Sequence, residues 1–460
     1  MCYYTLMALK NINIDLFRKM NDFLESWKSN PRHLPLIVKG ARQVGKTYCI
    51  RRFAKRNYKR FVEVNFVERP EFKAIVRDGF SVASIVRNIT AVDPGMVFES
   101  GSTLVFFDEI QAFPEMATAL KFFAEDGRFD VICSGSILGV HYNRVSSFSV
   151  GYQESVVMRS LDFEEFLFAH GYSADQIEDA YCFIVEGRPL PDAVLESFGR
   201  LFLEYCVCGG MPEVVAAYVN DKTFTNVLGI QNRLVSDYRQ DIRKYSEGLD
   251  SVRIGRVFDS LPAQLAKENK KFQLSRIERG ARRKDYWGCV EWLKDAGVVN
   301  ICHKMSFPEL PVKGNVDFDF FKLYMADSGL LLSLVDEDAR EDVLVRRNLG
   351  TWKGGFFENV IGEALVKAGA ELVYYKRENS SLEMDFFLRS KDCLVPVEVK
   401  SENGQSKSLK TLIESDHYPD IRWGVKLING NVGFDGKVRT IPLWSAFLLP
   451  RLMRDWECSV

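Results

Sequence analysis

The chain has 460 residues, too many for one ordinary hydrophobic core and enough for about three domains at roughly 100 to 200 residues each. With 47% hydrophobic and 27% charged residues it reads as globular, neither disordered nor collagen-like. Its 61 basic and 62 acidic residues give a net charge of -1, so any basic surface for nucleic acid or membrane must be local.

In chain order, residues 34–38, 61–65, 103–107 and 130–133 read as short apolar strands with amphipathic helical stretches between them, the signature of an α/β parallel sheet. From Leu161 to about Tyr245 helical periodicity takes over, broken at Gly209-Gly210-Met211-Pro212. Residues 251–299 read as three short helices, and Ile301-Cys302-His303-Lys304 begins a wing strand. Residues 348–355, with three glycines, are the expected joint before the last unit, in which a helix over 356–368 precedes strands at 372–376, 384–388 and 395–400. The longest apolar runs, such as 104–107 and 330–335, fall far short of the roughly 20 residues that cross a bilayer. Residues 1–10 lack a cationic start followed by a long apolar core, which predicts a cytoplasmic protein. The 10 cysteines are scattered, and the close pair Cys206 and Cys208 has no neighbouring histidine, so reduced thiols are expected and not a zinc site.

Gly40-Ala41-Arg42-Gln43-Val44-Gly45-Lys46-Thr47 satisfies GxxxxGK[ST] between a predicted strand and a predicted helix, the context a phosphate-binding loop requires. Its backbone N–H groups and the helix N-terminus would wrap phosphate oxygens, Lys46 would reach the β and γ phosphates of ATP, and Thr47 would ligate Mg²⁺. Leu104-Val105-Phe106-Phe107-Asp108-Glu109 then supplies a buried strand ending in two carboxylates, Asp108 for the Mg²⁺ shell and Glu109 as base or water-orienting group. After the next strand come Ser134-Gly135-Ser136, where either hydroxyl, Ser134 or Ser136, is placed to sense the γ-phosphate.

Together with Leu161-Asp162-Phe163-Glu164-Glu165-Phe166 and Gly209-Gly210-Met211-Pro212-Glu213, these motifs make the chain resemble the prokaryotic AAA-type ATPases that carry a C-terminal domain of unknown function. The resemblance spans nearly the whole chain. It implies an α/β P-loop ATPase domain over 1–165, a helical lid over 166–245, a winged-helix-like domain over 246–345 and an α/β restriction-endonuclease-like domain over 346–460. It also implies a Gly-Arg pair before Leu161 that offers an arginine to a neighbouring subunit; here that place reads Gly151-Tyr152, with Arg144 and Arg159 as nearby substitutes.

In the middle of the chain, 271–277 followed by Arg279, Arg282, Arg283 and Lys284 resembles a winged helix-turn-helix whose second helix begins with a basic cluster able to meet DNA phosphates. A solvated helix face is the plainer reading. Near the C-terminus, Glu398 and Lys400 share one face of a strand, and Asp385 comes from the preceding antiparallel partner. This resembles the PD-(D/E)xK restriction-endonuclease-like fold. The resemblance carries metal ligands to Asp385 and Glu398, the water-activating lysine to Lys400 and the helix acid to Glu358, although Met384 stands where a proline would precede Asp385. The leading expectation is an ATP-binding, Mg²⁺-dependent NTPase whose nucleotide state controls a DNA-facing winged helix and a nuclease-like domain. The alternatives are a nucleotide-gated regulatory or binding protein with a non-cutting C-terminal domain, and a small-molecule kinase.

Overall fold

The computed structural model describes residues 15–136, 151–246, 251–267, 271–335, 338–345, 351–400, 404 and 406–457. The chain divides into two compact units, one holding Phe17–Ser160 and the other Leu161–Lys294 with Val298–Val460.

The first unit is a five-stranded, fully parallel sheet in the order β2-β3-β4-β1-β5, formed by β1 (Leu36–Gly40), β2 (Arg60–Asn65), β3 (Thr103–Asp108), β4 (Asp130–Ser136) and β5 (Glu154–Val157). The helices are α1 (Lys19–Ser29), α2 (Lys46–Asn57), α3 (Val82–Val92) and α4 (Met116–Asp126). Strand β3 is buried along its whole length, so alternate residues serve opposite faces. Val105 and Phe107 join Ile85 and Ile89 of α3 and Leu120 and Phe123 of α4 in one core. Strand β5 was not anticipated; its exposed alternate residues leave a weak apolar pattern.

The second unit begins with helices α5 (Phe163–Ala169), α6 (Ala174–Val185), α7 (Asp192–Cys208), α8 (Pro212–Asp221), α9 (Val227–Tyr245), α10 (Ser251–Leu265) and α11 (Arg283–Asp295). Among the described residues between α10 and α11, a 3₁₀ turn, Leu274–Arg276, stands where a middle helix is expected. Strands β6 (Val299–Met305) and β7 (Val316–Met325) form a hairpin, followed by helices α12 (Ser328–Leu332), α13 (Asp338–Leu344) and α14 (Thr351–Lys367). Strands β8 (Val373–Lys376), β9 (Glu383–Ser390), β10 (Cys393–Lys400), β11 (Gly424–Ile428), β12 (Gly433–Asp435) and β13 (Val438–Pro442) complete it, with helices α15 (Lys407–Glu414) and α16 (Leu449–Glu457).

All eight strands form one mixed sheet, ordered β12-β13-β11-β10-β9-β8-β6-β7. Strand β6 pairs in parallel with β8, so strands from either side of the expected boundary at 345 and 346 share that sheet. Phe386 of β9 faces α14, where it meets Tyr324, whereas Phe387 packs with Leu409 and Leu412 of α15 on the other face. Helix α14 starts five residues before the expected position 356.

The two hallmark motifs of unknown role form one buried joint in this unit. Leu161 N donates to Gly210 O at 2.7 Å, and Leu161 O accepts from Tyr205 at 2.9 Å and Lys367 at 2.8 Å. Asp327 accepts from Gly210 N at 2.8 Å while capping α12 through Leu330 N at 3.2 Å. Asp162 and Glu165 close a capping box on α5, and Pro212 opens α8, so each motif both starts a helix and contributes backbone to the joint.

Glu363 of α14 lies in this joint, bonded to Lys367 at 2.5 Å and to Tyr205 at 3.2 Å, with its second oxygen buried and unpartnered. Burial pushes its carboxyl up to about 7 despite the opposing Lys367 charge. The unfolded chain releases this proton near the ordinary value of 4.5, so between 4.5 and 7 the folded state holds more protons and stability falls as pH rises. The expected loss is on the order of 3 kcal/mol across that window. Denaturant midpoints at pH 4.5 and 8 should therefore drop more in the parent than in Glu363→Gln; equal drops would show that Glu363 ionises normally.

Candidate nucleotide-binding site

Gly40 ends β1, and the loop from Ala41 to Gly45 runs directly into α2 at Lys46. Gly45 takes a φ of 94°, a left-handed conformation that favours glycine at the turn into the helix. Gln43 is also left-handed at 63°. Ala41 and Val44 are buried, whereas Arg42 and Gln43 are exposed. The Lys46 ammonium folds over the loop and donates to Ala41 O at 2.8 Å and Gly40 O at 3.1 Å. Burial lowers Lys46 to about 8, with the Glu109 and Asp108 charges opposing and Arg42 reinforcing the shift.

Parallel register brings the second motif to the first. Strand β4 lies between β1 and β3, and Phe107 pairs with Cys133, so Ser134 arrives beside Asp108. Thr47 Oγ1 donates to Asp108 Oδ2 at 3.2 Å, and Ser134 Oγ donates to Asp108 Oδ1. Of the two candidate serines, Ser134 is therefore the one on the carboxylate; Ser136 ends β4, and its side chain lies outside the described residues. Glu109 follows in a left-handed conformation at φ 56°, which turns the chain as the strand ends.

Three participants escaped the sequence reading. Asn65, at the end of β2 in register with Asp108, donates to Asp108 Oδ2 at 3.3 Å. Gln111 donates to Glu109 Oε2 and so holds that carboxylate. Arg18, only 5% exposed, donates to Val44 O at 2.7 Å and Arg159 O at 2.6 Å, clamping the loop from below. A polar residue ending the strand beside the acidic strand end was a usable signal for Asn65. Nothing local marks Arg18. Arg159, one substitute for the missing arginine, is partly buried, Tyr152 packs under Lys121 at 5.2 Å, and Arg144 lies outside the described residues.

Threonine and serine hydroxyls facing the Asp108 carboxylate are hard oxygen donors that suit Mg²⁺, while the Asn65 amide N–H orients that carboxylate. The donor set fits that ion, and the loop fits a nucleotide phosphate.

The basic cluster is less uniform than its sequence suggests. Arg282 pairs with Asp285 at 3.0 Å, and Arg283 pairs with Asp319 and donates to Phe318 O. Arg279 and Lys284 are exposed, with Arg279 preceding α11 and Lys284 in its first turn.

At the C-terminal constellation, Lys400 Nζ lies 2.9 Å from Glu398 Oε1, as a period of two requires, and Asp385 Oδ2 accepts from Val399 N at 2.9 Å. Burial pulls Lys400 down, but the Glu398 hydrogen bond and the Glu398 and Asp385 charges outweigh it and hold the lysine above its ordinary value. Glu398 Oε2 is buried and unpartnered. Glu358, the expected helix acid, has partners of its own. The fully buried Lys322 reaches it at 2.9 Å and Tyr324 at 2.5 Å, so its negative charge is already answered from β7. Among the described residues no group of three or more acidic, histidine or cysteine side chains is gathered to hold a metal ion.

An open parallel sheet with a glycine loop feeding a helix, and an acidic strand end beside it, defines a P-loop ATPase fold. Residues 32–167 match the AAA domain family AAA_14, so the chain carries an AAA-type P-loop ATPase domain. Residues 199–341 and 353–446 match two domains of unknown function, DUF8612 and DUF4143. No curated protein matches the chain. Solved structures with partial similarity include the Walker-type ATPase PABY2304 of Pyrococcus abyssi, at 16% identity over 70% of this chain and 96% of that one, with a TM-score of 0.41. The Aeropyrum pernix ORC1 protein in complex with DNA matches at 13% identity over 72% of this chain and 91% of its own, TM-score 0.26. The Pif1 helicase of Candida albicans matches at 13% identity over 40% and 47%, TM-score 0.24. Among the described residues no helix is long and apolar enough to cross a membrane.

Proposed function

We propose that the protein is an ATP-binding, Mg²⁺-dependent NTPase whose nucleotide state controls a DNA-facing winged helix and a nuclease-like C-terminal domain. The observation that carries the ATPase reading is the Asp108 carboxylate, met by Thr47, Ser134 and Asn65 beside the Lys46 loop. Lys46 would exchange its loop carbonyls for phosphate oxygens, and Thr47 and Asp108 would hold the cation. Bound Mg²⁺ would supply charge neutralisation at the phosphates. Glu109, held by Gln111, takes the proton of the attacking water, and Ser134, bonded to Asp108, senses the γ-phosphate.

Glu109→Gln should keep ATP bound but slow phosphate release about 100-fold or more, the usual contribution of a positioned base. Filter binding and labelled-phosphate release in Mg²⁺, each repeated after chelation, separate the two effects. Turnover at the parental rate in Glu109→Gln, or turnover unaffected by chelation, would overturn the assignment.

The succession of α10, a 3₁₀ turn, α11 and the β6–β7 hairpin supports the winged-helix reading, with DNA phosphates met by Arg279 and Lys284 while Arg282 and Arg283 brace the element. For the C-terminal fold, the Lys322–Glu358 pair favours the second reading, a domain that grips without cutting.

A further inference from the structure

A basic pocket with an aromatic floor lies in the second unit, away from both motifs discussed above. Four separate stretches of chain build it. Lys271 precedes Phe272, whose N–H is tied to Phe321 O at 2.8 Å; Lys304 comes from β6, Phe320 from β7, and Tyr374 and Lys376 from β8. Register places Lys304 opposite Tyr374. The cavity has a volume of about 340 Å³, within the range of small-ligand sites.

Its lining gathers Lys271, Lys304, Lys376 and Arg377 with Glu378, and Asp317 stands opposite Lys304 in the β6–β7 register. Lys271 sits 3.5 Å and Lys304 5.0 Å from the centre of the same Phe320 ring, and Arg377 adds a third cation at the wall. Lys376 is answered at 2.8 Å by Glu383, which also serves Lys322. The acid within the lining is Glu378, 3.6 Å from Lys304; its side chain is 81% exposed, so water weakens the pairing, whereas that of Lys304 is only 12% exposed. Burial, followed by the charge of Lys304, pulls Lys271 below its ordinary value. Two ammonium groups gathered at one ring make the pocket attractive to an anion.

We infer that Lys271, Lys304 and Arg377, over Phe320, form a site for the phosphate group of a nucleotide unit, supplied by a single-stranded nucleic acid or by a free nucleotide. Cations beside an aromatic face are the combination that holds an unpaired strand, with the phosphate on the cations and the base against the ring. The site extends the nucleic-acid part of the proposed function and rests on that part, not on ATP hydrolysis. It is distinct from Arg279 and Lys284.

The full-length protein, without ATP, is titrated into a labelled 12-nucleotide oligothymidylate at several salt concentrations, and thymidine monophosphate binding is measured by calorimetry. Lys271→Gln with Lys304→Gln, which keeps most of the stem packing on Phe320, should weaken oligonucleotide binding about tenfold and reduce the logarithmic salt slope by about 1.4, or roughly 0.7 for each of two single-strand phosphate contacts. Lys271→Arg with Lys304→Arg should restore both, and matching thermal unfolding shows that the fold is intact. Loss confined to the mononucleotide identifies the free nucleotide as the source. Parental affinity and slope for both probes in the glutamine variant overturns the site. So does a parent that binds neither probe. Loss only in Arg279→Gln with Lys284→Gln leaves the helix-turn-helix reading standing and removes this one.

Discussion

Lys46→Ala should weaken ATP binding about 100-fold, because charge-assisted hydrogen bonds to phosphate are lost with no substitute donor in the loop. Secondary structure should be unchanged, since the Lys46 ammonium holds only the Gly40 and Ala41 carbonyls. Filter binding with labelled ATP and circular dichroism on the same sample give both readings. Affinity within threefold of the parent would show that the loop does not bind phosphate.

Gly210→Ala is expected to be the most destabilising small substitution considered. A methyl there would stand 1.9 Å from Leu161 O, a backbone atom bonded to Tyr205 and Lys367, so the joint must open. A cost of about 4 kcal/mol follows from overpacking combined with the loss of buried hydrogen bonds. Gly255→Ala is the contrast: nothing lies within 4 Å of the added carbon, and the position is inside helix α10. That change should stabilise by about 0.5 to 1 kcal/mol. Urea midpoints for the pair decide the point; similar midpoints would mean the joint yields without cost.

The loop from Gly40 to Thr47 and the acidic end of β3 were legible because each is a local pattern with a local cause, a left-handed turn into a helix and a buried strand emerging at its polar end. Choosing Ser134 over Ser136 needed the register of β4 against β3, which no local pattern carries. Arg18 acts on Val44 and on Arg159, 26 and 141 residues away, and so left no trace in its own neighbourhood. The Leu161 and Gly209 motifs could be noticed but not explained, since the partners that use them, Asp327 and Lys367, lie far along the chain. Lys322 was missed for a related reason. Within β7 it reads as one more charge in an alternating run, and only the packing of α14 against that strand makes it the counter-ion of Glu358.

A mixed sheet of eight strands ends in two border strands, and backbone groups along such a border can template pairing with a stray chain. At one border β12 is only three residues long and ends in the exposed Asp435. At the other, β7 carries Asp317 and the exposed Asp319 near its outer end, with Arg283 bound to Asp319 and to the Phe318 carbonyl. The same arginine that resembles a DNA contact in the sequence thus ties up a backbone carbonyl on a border strand, leaving one acceptor fewer for an incoming chain.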